Sequence, residues 1–200
     1  MKYILYTVLS LFGFLATYFL VRGGYFLPID HFFVSLPHTT WLTWLFFIIT
    51  DVGGLACVIL GSLLLVLFLV VENHYKEALC TTFALSFGVV SQTIVKYLLA
   101  VERPSASLVS TVGYSFPSGH ANMATILFLS AYLYLFHKFA SIKKQKILFF
   151  LCAGAAFMIG ISRVYLNAHW ASDVVAGWFF GIFWATLPLS FLSLKKRFTI

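Results

Sequence analysis

The fold class this sequence predicts is all-α: an integral membrane bundle of six transmembrane helices, with a short interfacial or re-entrant helix before the second span. Three observations carry that expectation. Of the 200 residues, 62% are hydrophobic and only 10% are charged, with a mean hydropathy of +0.98, whereas soluble domains carry about 25% charged residues. The apolar residues fall into runs long enough for a helix to cross a bilayer. The net charge of +7 is gathered in short clusters between those runs, a pattern of membrane topology and not of a nucleic-acid-binding face. No internal repeat, low-complexity tract or linker divides the chain, so one membrane-embedded domain is expected over residues 1–200.

Taken in order, residues 3–21 form the first expected span. Lys2 precedes it, as in a signal peptide, but the run is longer than a typical h-region and no small-x-small site closes it. It reads as a retained helix. Residues 22–40, with two Gly, two Pro, His31 and His38, read as a loop. The apolar stretch 41–49 is too short to span, and Asp51, Gly53 and Gly54 interrupt it, so it reads as the interfacial or re-entrant helix. Span two covers about 52–71, a polar turn follows at 72–77, and span three covers 78–99. Ser91, Gln92 and Lys96 in its second half imply a protein-facing or water-facing side. Residues 101–116 form a loop; spans four, five and six follow at about 120–135, 147–162 and 170–192. Cys57, Cys80 and Cys152 lie inside apolar runs without paired spacing and read as small buried residues.

Six spans put both termini on one side. That side then holds Lys2, Lys76, Lys138, Lys143, Lys144, Lys146, Lys195, Lys196 and Arg197, nine of the 13 basic residues. The positive-inside rule makes it cytoplasmic. The expected location is the inner (cytoplasmic) membrane, multi-pass, with the other face open to the periplasm or exterior. None of Asn73, Asn122 and Asn167 begins a glycosylation sequon, which fits a bacterial source.

The outer face carries three polar clusters. Lys96 and Arg103 are seven residues apart and share a face if span three stays helical to Glu102. In the stretch Tyr114-Ser115-Phe116-Pro117-Ser118-Gly119-His120, a Pro, a small hydroxyl and a Gly lead into a helix. The first amides of that helix have no internal partners and its dipole is positive there, which suits an anion such as phosphate. A plain loop-to-helix junction with Ser118 as N-cap is the simpler alternative for that stretch alone. The third cluster is Ser162-Arg163, five residues, His169, three residues and Asp173, with His169 and Asp173 neighbours at the start of span six. Each group taken singly has a structural explanation. Together they set three cations, two histidines and a carboxylate on one membrane face, where ionisable groups are costly and usually functional.

The chemistry follows from the residue types. Lys96, Arg103 and Arg163 can neutralise a multiply charged anion, and Arg does so bidentately. His169 with Asp173 on one ring nitrogen becomes an oriented nucleophile or base, leaving His120 to protonate a leaving group. A metal site from His120, His169 and Asp173 is the rival arrangement, against which the neighbouring cations argue. There is no Walker loop and no HExxH.

Lys96 plus six residues plus Arg103-Pro104, then Pro117-Ser118-Gly119-His120, then Ser162-Arg163 plus five plus His169 plus three plus Asp173 resembles the three-part signature of the type-2 phosphatidic acid phosphatase superfamily. The likeness covers about residues 91–175 with no departure at any signature position, and the six-span layout resembles small bacterial members. The resemblance implies His169 as a nucleophile forming a phosphohistidine, Asp173 as its orienting partner and His120 as general acid. It implies Lys96, Arg103, Ser118, Gly119 and Arg163 as the phosphate cradle, no metal and no cofactor. It also implies as substrate a lipid phosphate or diphosphate such as phosphatidylglycerol phosphate, undecaprenyl diphosphate or phosphatidate. Two rivals stay open at this point: a phosphotransferase that passes the phosphoryl group to another lipid, and a non-catalytic lipid or anion transporter using the same pocket. The expected partners are the lipid substrate and the bilayer, with no nucleic acid.

Overall fold

The computed structural model describes residues 2–136 and 141–198. His137 and Lys138 of the expected basic turn lie outside them, as do the side chains of Lys195, Lys196 and Arg197. Among the described residues the chain is all helix and connection: α1 (Lys2–Arg22), α2 (Leu27–Val34), α3 (Thr40–Val52), α4 (Leu55–Val71), α5 (Tyr75–Leu99), α6 (Gly119–Ser130), α7 (Ile142–Tyr165) and α8 (Ala171–Phe198). A π-helical stretch, Ala131–Phe136, continues α6.

The packing inverts the soluble pattern. On α1 the buried positions are Thr7, Ser10, Phe14 and Thr17, while Phe12 and Phe19 point outward. Lipid is as apolar as Phe, so no hydrophobic drive turns these rings inward, and small or hydroxyl residues line the helix contact instead. Thr7 Oγ1 meets Thr186 Oγ1 at 2.9 Å and Ser190 Oγ at 2.8 Å. Phe14 stacks on Phe180 with centroids 4.6 Å apart. These contacts run α1 antiparallel beside α8, so the start of α1 and the end of α8 share one end of the bundle.

The opposite end is drawn together by close helix contacts. A Cβ on Gly177 would come within 2.7 Å of the Ser118 carbonyl, and one on Gly181 within 2.7 Å of the Asn122 carbonyl. This small-residue pair on α8 lets the start of α6 press onto it. Beneath that junction Phe116 is fully buried with Phe14, Ala176 and Phe180.

Two expectations are corrected and a third is met in part. The stretch 22–40 is not all loop: it contains α2, whose Pro28 sits in the first turn, where a missing N–H costs nothing. Cys57 is exposed, while Cys80 and Cys152 are buried as free thiols; its position falls on the lipid-facing side of α4, where a small apolar side chain needs no cover. The six-span layout is matched only in part by length and apolarity. Among the described residues four helices are long and apolar enough to cross a membrane, or five if α3 and α4, bent by 44° at their break, form one span. With 17 residues in α4 and 12 in α6 before its π stretch, neither meets that length alone. The break falls at Gly53-Gly54, where a Cβ on Gly53 would collide with the Ile159 side chain of α7.

Candidate active site

Helix α5 stops at Leu99 because Ala100 turns into the left-handed region at φ 48°. Lys96 and Arg103 therefore do not share a helix face as the spacing suggested. They meet by another route, because the loop folds back on itself: Ser115 N donates to the Val101 carbonyl at 2.7 Å. Lys96 Nζ then donates to the carbonyls of Tyr114 and Ser115 at 2.9 and 2.8 Å. Arg103 donates to the carbonyls of Val112, Gly113 and Tyr114 at 3.3, 2.8 and 3.2 Å. Both cations converge on one short run of backbone.

Ser118 is the N-cap of α6 with extended backbone, but its hydroxyl caps nothing. Its N–H donates to the Asp173 carbonyl at 2.9 Å, and its Oγ is buried with no protein partner. The amide donors a helix leaves open therefore begin at Gly119. Gln92 packs over Gly119, where a Cβ would come within 2.8 Å of Nε2. Gln92 Oε1 also accepts from Asn122 Nδ2 at 2.7 Å. His120 borders a cavity of about 180 Å³ with Gln92, Gly119, Met123, Gly53, Leu55 and Val58.

The spacing between Arg163 and His169 is one tight turn. Ala168 N and His169 N both donate to the Arg163 carbonyl, at 3.0 and 3.2 Å. Asn167 takes the left-handed backbone at φ 51°, which Asn tolerates better than most residues. The Arg163 side chain is buried, with Nη1 donating to Thr50 Oγ1 at 2.8 Å.

His169 is 2% exposed, and its two ring nitrogens face different partners. Nδ1 lies 3.2 Å from Asp173 Oδ2, and Nε2 lies 3.1 Å from Arg103 Nη1. A guanidinium only donates, so Nε2 is the acceptor and the ring proton sits on Nδ1, directed at the carboxylate. That tautomer leaves the Nε2 lone pair as the reactive position. Asp173 Oδ2 also accepts from Trp170 N at 3.0 Å and from the Ser115 hydroxyl, which itself lies 3.3 Å from His169 Nδ1. Burial first, then the charges of Lys96, Arg103 and Arg163, hold His169 well below the usual histidine range. Its imidazole is neutral at pH 7, as a nucleophile or base must be.

The structure thus gathers His169, Asp173 and Arg103 by direct contact, places Lys96 on the same loop carbonyl as Arg103, and brings Ser118 onto Asp173 through the backbone. His120 stands outside this hydrogen-bonded group, on the cavity beside Gly119. Among the described residues no three His, Cys, Asp or Glu side chains form a group able to hold a metal ion. Sequence reading did not single out Ser115 as a partner of the His–Asp pair, nor Thr50 as the partner of Arg163. A lone hydroxyl carries no pattern of its own; only its closeness to Pro117-Ser118-Gly119-His120 pointed toward Ser115.

The comparisons with known proteins bear on family and fold. The family profile described as PAP2 superfamily matches residues 77–197. Phosphatidylglycerophosphatase B of Bacillus subtilis is 32% identical over 109 residues, 54% of this chain and 54% of that protein. An undecaprenyl-diphosphatase of Sulfolobus acidocaldarius is 27% identical over 140 residues, 66% of this chain and 61% of that protein. The matches thus span a little over half the length of these curated relatives. In fold, the chain is similar to the crystal structure of a transmembrane PAP2-type phosphatidylglycerolphosphate phosphatase from Bacillus subtilis. The TM-score is 0.85 at 24% identity, over 96% of this chain and 98% of that one. Aquifex aeolicus LpxE gives a TM-score of 0.62 at 23% identity, over 82% and 94%.

Proposed function

This chain belongs to the PAP2 superfamily, and on that premise we propose that it is a membrane lipid phosphatase acting on a lipid phosphate or diphosphate through a phosphohistidine at His169. The observation that carries the proposal is the split of His169 between Asp173 on Nδ1 and a cation on Nε2. The substrate phosphoryl group takes the place Arg103 Nη1 holds at Nε2, and Arg103, Lys96 and Arg163 turn their donors to its oxygens. Nε2 attacks phosphorus, the P–O bond to the lipid breaks, and His120 gives its proton to the departing oxygen. Asp173 stabilises the ring as it gains charge. Water, deprotonated by His120, then attacks the phosphohistidine and releases inorganic phosphate. The Ser118 hydroxyl and the amides from Gly119 onward complete the cradle. The protein cations supply the charge neutralisation that a metal gives in other phosphatases.

The same reading gives one catalytic domain over the whole chain and six crossings, with α4 and α6 each spanning. It sets both termini in the cytoplasm and the site at the outer face of the inner membrane; the basic clusters support that orientation. The named activities of the two curated relatives support phosphatidylglycerol phosphate and undecaprenyl diphosphate as the substrates to try first.

The test is phosphate release by the purified full chain from a panel of lipid monophosphates and diphosphates, with and without chelator. Wild type releases phosphate from at least one of them in EDTA, His169→Ala releases none, and Asp173→Asn is slowed by several orders of magnitude, about 10⁴-fold where a comparable triad loses its tautomer control. Near-normal release by His169→Ala removes the mechanism. A wild type that binds these lipids and releases no phosphate favours the transporter reading.

A further inference from the structure

The catalytic reading assigns nothing to the stretch between α1 and α3, yet that stretch grips the connection that carries His169. Asp30, on α2, is 6% exposed. Its carboxylate accepts two hydrogen bonds from Ser172, the second residue of α8: from the backbone N–H to Oδ1 at 2.9 Å and from Oγ to Oδ2 at 2.7 Å. A first-turn amide of α8 is thereby satisfied by an acid from another helix, at the end where the dipole favours negative charge. Two further contacts flank it: the His31 ring stands edge-on to Trp170 at 5.6 Å, and Asn167 Nδ2 reaches the Val34 carbonyl at 3.4 Å. Farther along, His38 Nε2 lies 2.7 Å from the Tyr165 carbonyl, and Thr39 N donates to the Tyr165 hydroxyl at 3.0 Å. Residues 30–39 thus hold residues 165–172 from both ends, and His169 lies within the held stretch.

Asp30 matters to chemistry because of what Ser172 would do without it. Its buried N–H and hydroxyl would lose their acceptor, and an unsatisfied buried donor is costly. The neighbouring carboxylate is Asp173, whose Oδ1 is buried without a protein partner. A turn that shifted to bring those donors to Asp173 would draw its carboxylate off His169.

We propose that Asp30 is a positioning residue for phosphoryl transfer: by binding Ser172 it fixes the first turn of α8 and keeps Asp173 committed to His169. The proposal rests on His169 as nucleophile. It gives the N-terminal segment, which precedes the family match at residue 77, a share in the reaction without touching substrate.

The experiment compares kcat and KM of the purified full-length protein, on one lipid phosphate, for wild type, Asp30→Ala, Asp30→Asn and Ser172→Ala. Asp30→Ala lowers kcat by about 10- to 100-fold with KM within about twofold, the cost of misplacing a reacting group by a fraction of an ångström to an ångström. Asp30→Asn recovers to within about threefold of wild type, because its amide oxygen can take the Ser172 N–H and its amide nitrogen can donate to the Ser172 hydroxyl. Ser172→Ala, which loses one of the two bonds, falls between, and combining it with Asp30→Ala adds little further loss. An Asp30→Ala enzyme with wild-type kcat overturns the inference, as does a rise in KM alone, or an Asn variant as impaired as the Ala one. If Asp30→Ala does not fold, a folded Ser172→Ala with unchanged kcat overturns it equally. Trapping of phosphoenzyme separates this from the premise. Phosphate still trapped on His169→Ala removes the nucleophile reading and this inference with it. An inactive His169→Ala beside a fully active Asp30→Ala removes this inference alone.

Discussion

The chain divides into two unequal contributors. Residues 77–197, which match the family profile, carry Lys96, Arg103, Ser118, Gly119, His120, Arg163, His169 and Asp173. The first 76 residues carry none of these, yet Thr50 holds Arg163, Asp30 holds Ser172, and Thr7 ties α1 to α8. The chemistry of the later part is written in ionisable residues, which a membrane face does not tolerate without reason. The support given by the earlier part is written in hydroxyls and one short acid, which mean little until their partners are known. If that division is right, substitutions in the later part change which step is slow, and substitutions in the earlier part weaken the enzyme without changing its character.

The sharpest expected difference concerns His120. In the proposed mechanism His169 attacks phosphorus without it, and what His120 adds is a proton for the departing oxygen. A glycerolipid alkoxide is a poor leaving group and needs that proton, whereas a nitrophenolate does not. General acid catalysis is worth about 10²–10⁴-fold, so His120→Ala should lose that much on phosphatidate-like monoesters and far less on an aryl phosphate. A diphosphate should fall between, since a lipid monophosphate departs more easily than an alkoxide. The ratio of rates on the three substrates is the measurement. Equal losses on all three would mean that His120 serves binding or shape, and the later part would then look like the earlier one.

How much of this could be read in the sequence follows the same division. The long apolar runs gave α1 and α5 to within about three residues and α7 and α8 to within about six, because a bilayer demands length and apolarity that leave a clear trace. The bend between α3 and α4 was legible in Asp51, Gly53 and Gly54. Helix α2 was not, because eight residues with an internal Pro and His give neither length nor period. The convergence of Lys96 and Arg103 was foreseen for the wrong reason: a straight helix was assumed, and the cations meet because Ala100 breaks it and the loop folds back. The pairing of His169 with Asp173 was legible from spacing alone. The presence of Ser115 in that pairing was not, because it rests on a loop closing from 58 residues away.

Ser115 offers the next test. It belongs to the later part and touches both members of the His169–Asp173 pair, so Ser115→Ala should slow chemistry and not binding. Losing a hydrogen bond to a buried carboxylate corresponds to about tenfold in kcat, with KM little changed. Because Ser115 and Asp30 both act through the alignment of Asp173, their effects should be less than additive in a double-mutant cycle. Full additivity would mean that the two halves support the site independently, and the link through Ser172 and Asp173 would have to be given up.

The smallest effect separates charge from position. Burial and the cations Lys96, Arg103 and Arg163, all in the later part, hold the pKa of His169 well below its ordinary value of 6.5. A lowered pKa keeps the neutral, reactive form down to more acid pH, so the acid limb of kcat/KM due to His169 lies below pH 6.5. Lys96→Met removes one positive neighbour, makes the imidazolium less costly and raises that pKa. The limb read on the remaining activity should move to higher pH, by about one unit or less. Thr50→Val removes a hydrogen bond to Arg163 and no charge, so its limb should stay in place while KM rises by about two- to tenfold. The substrate's own ionisation is common to all three proteins, so only the differences between their profiles count. A limb that moved in Thr50→Val, or stayed fixed in Lys96→Met, would show that the earlier part sets the field at His169 as well as its position, and the division between the two would fail.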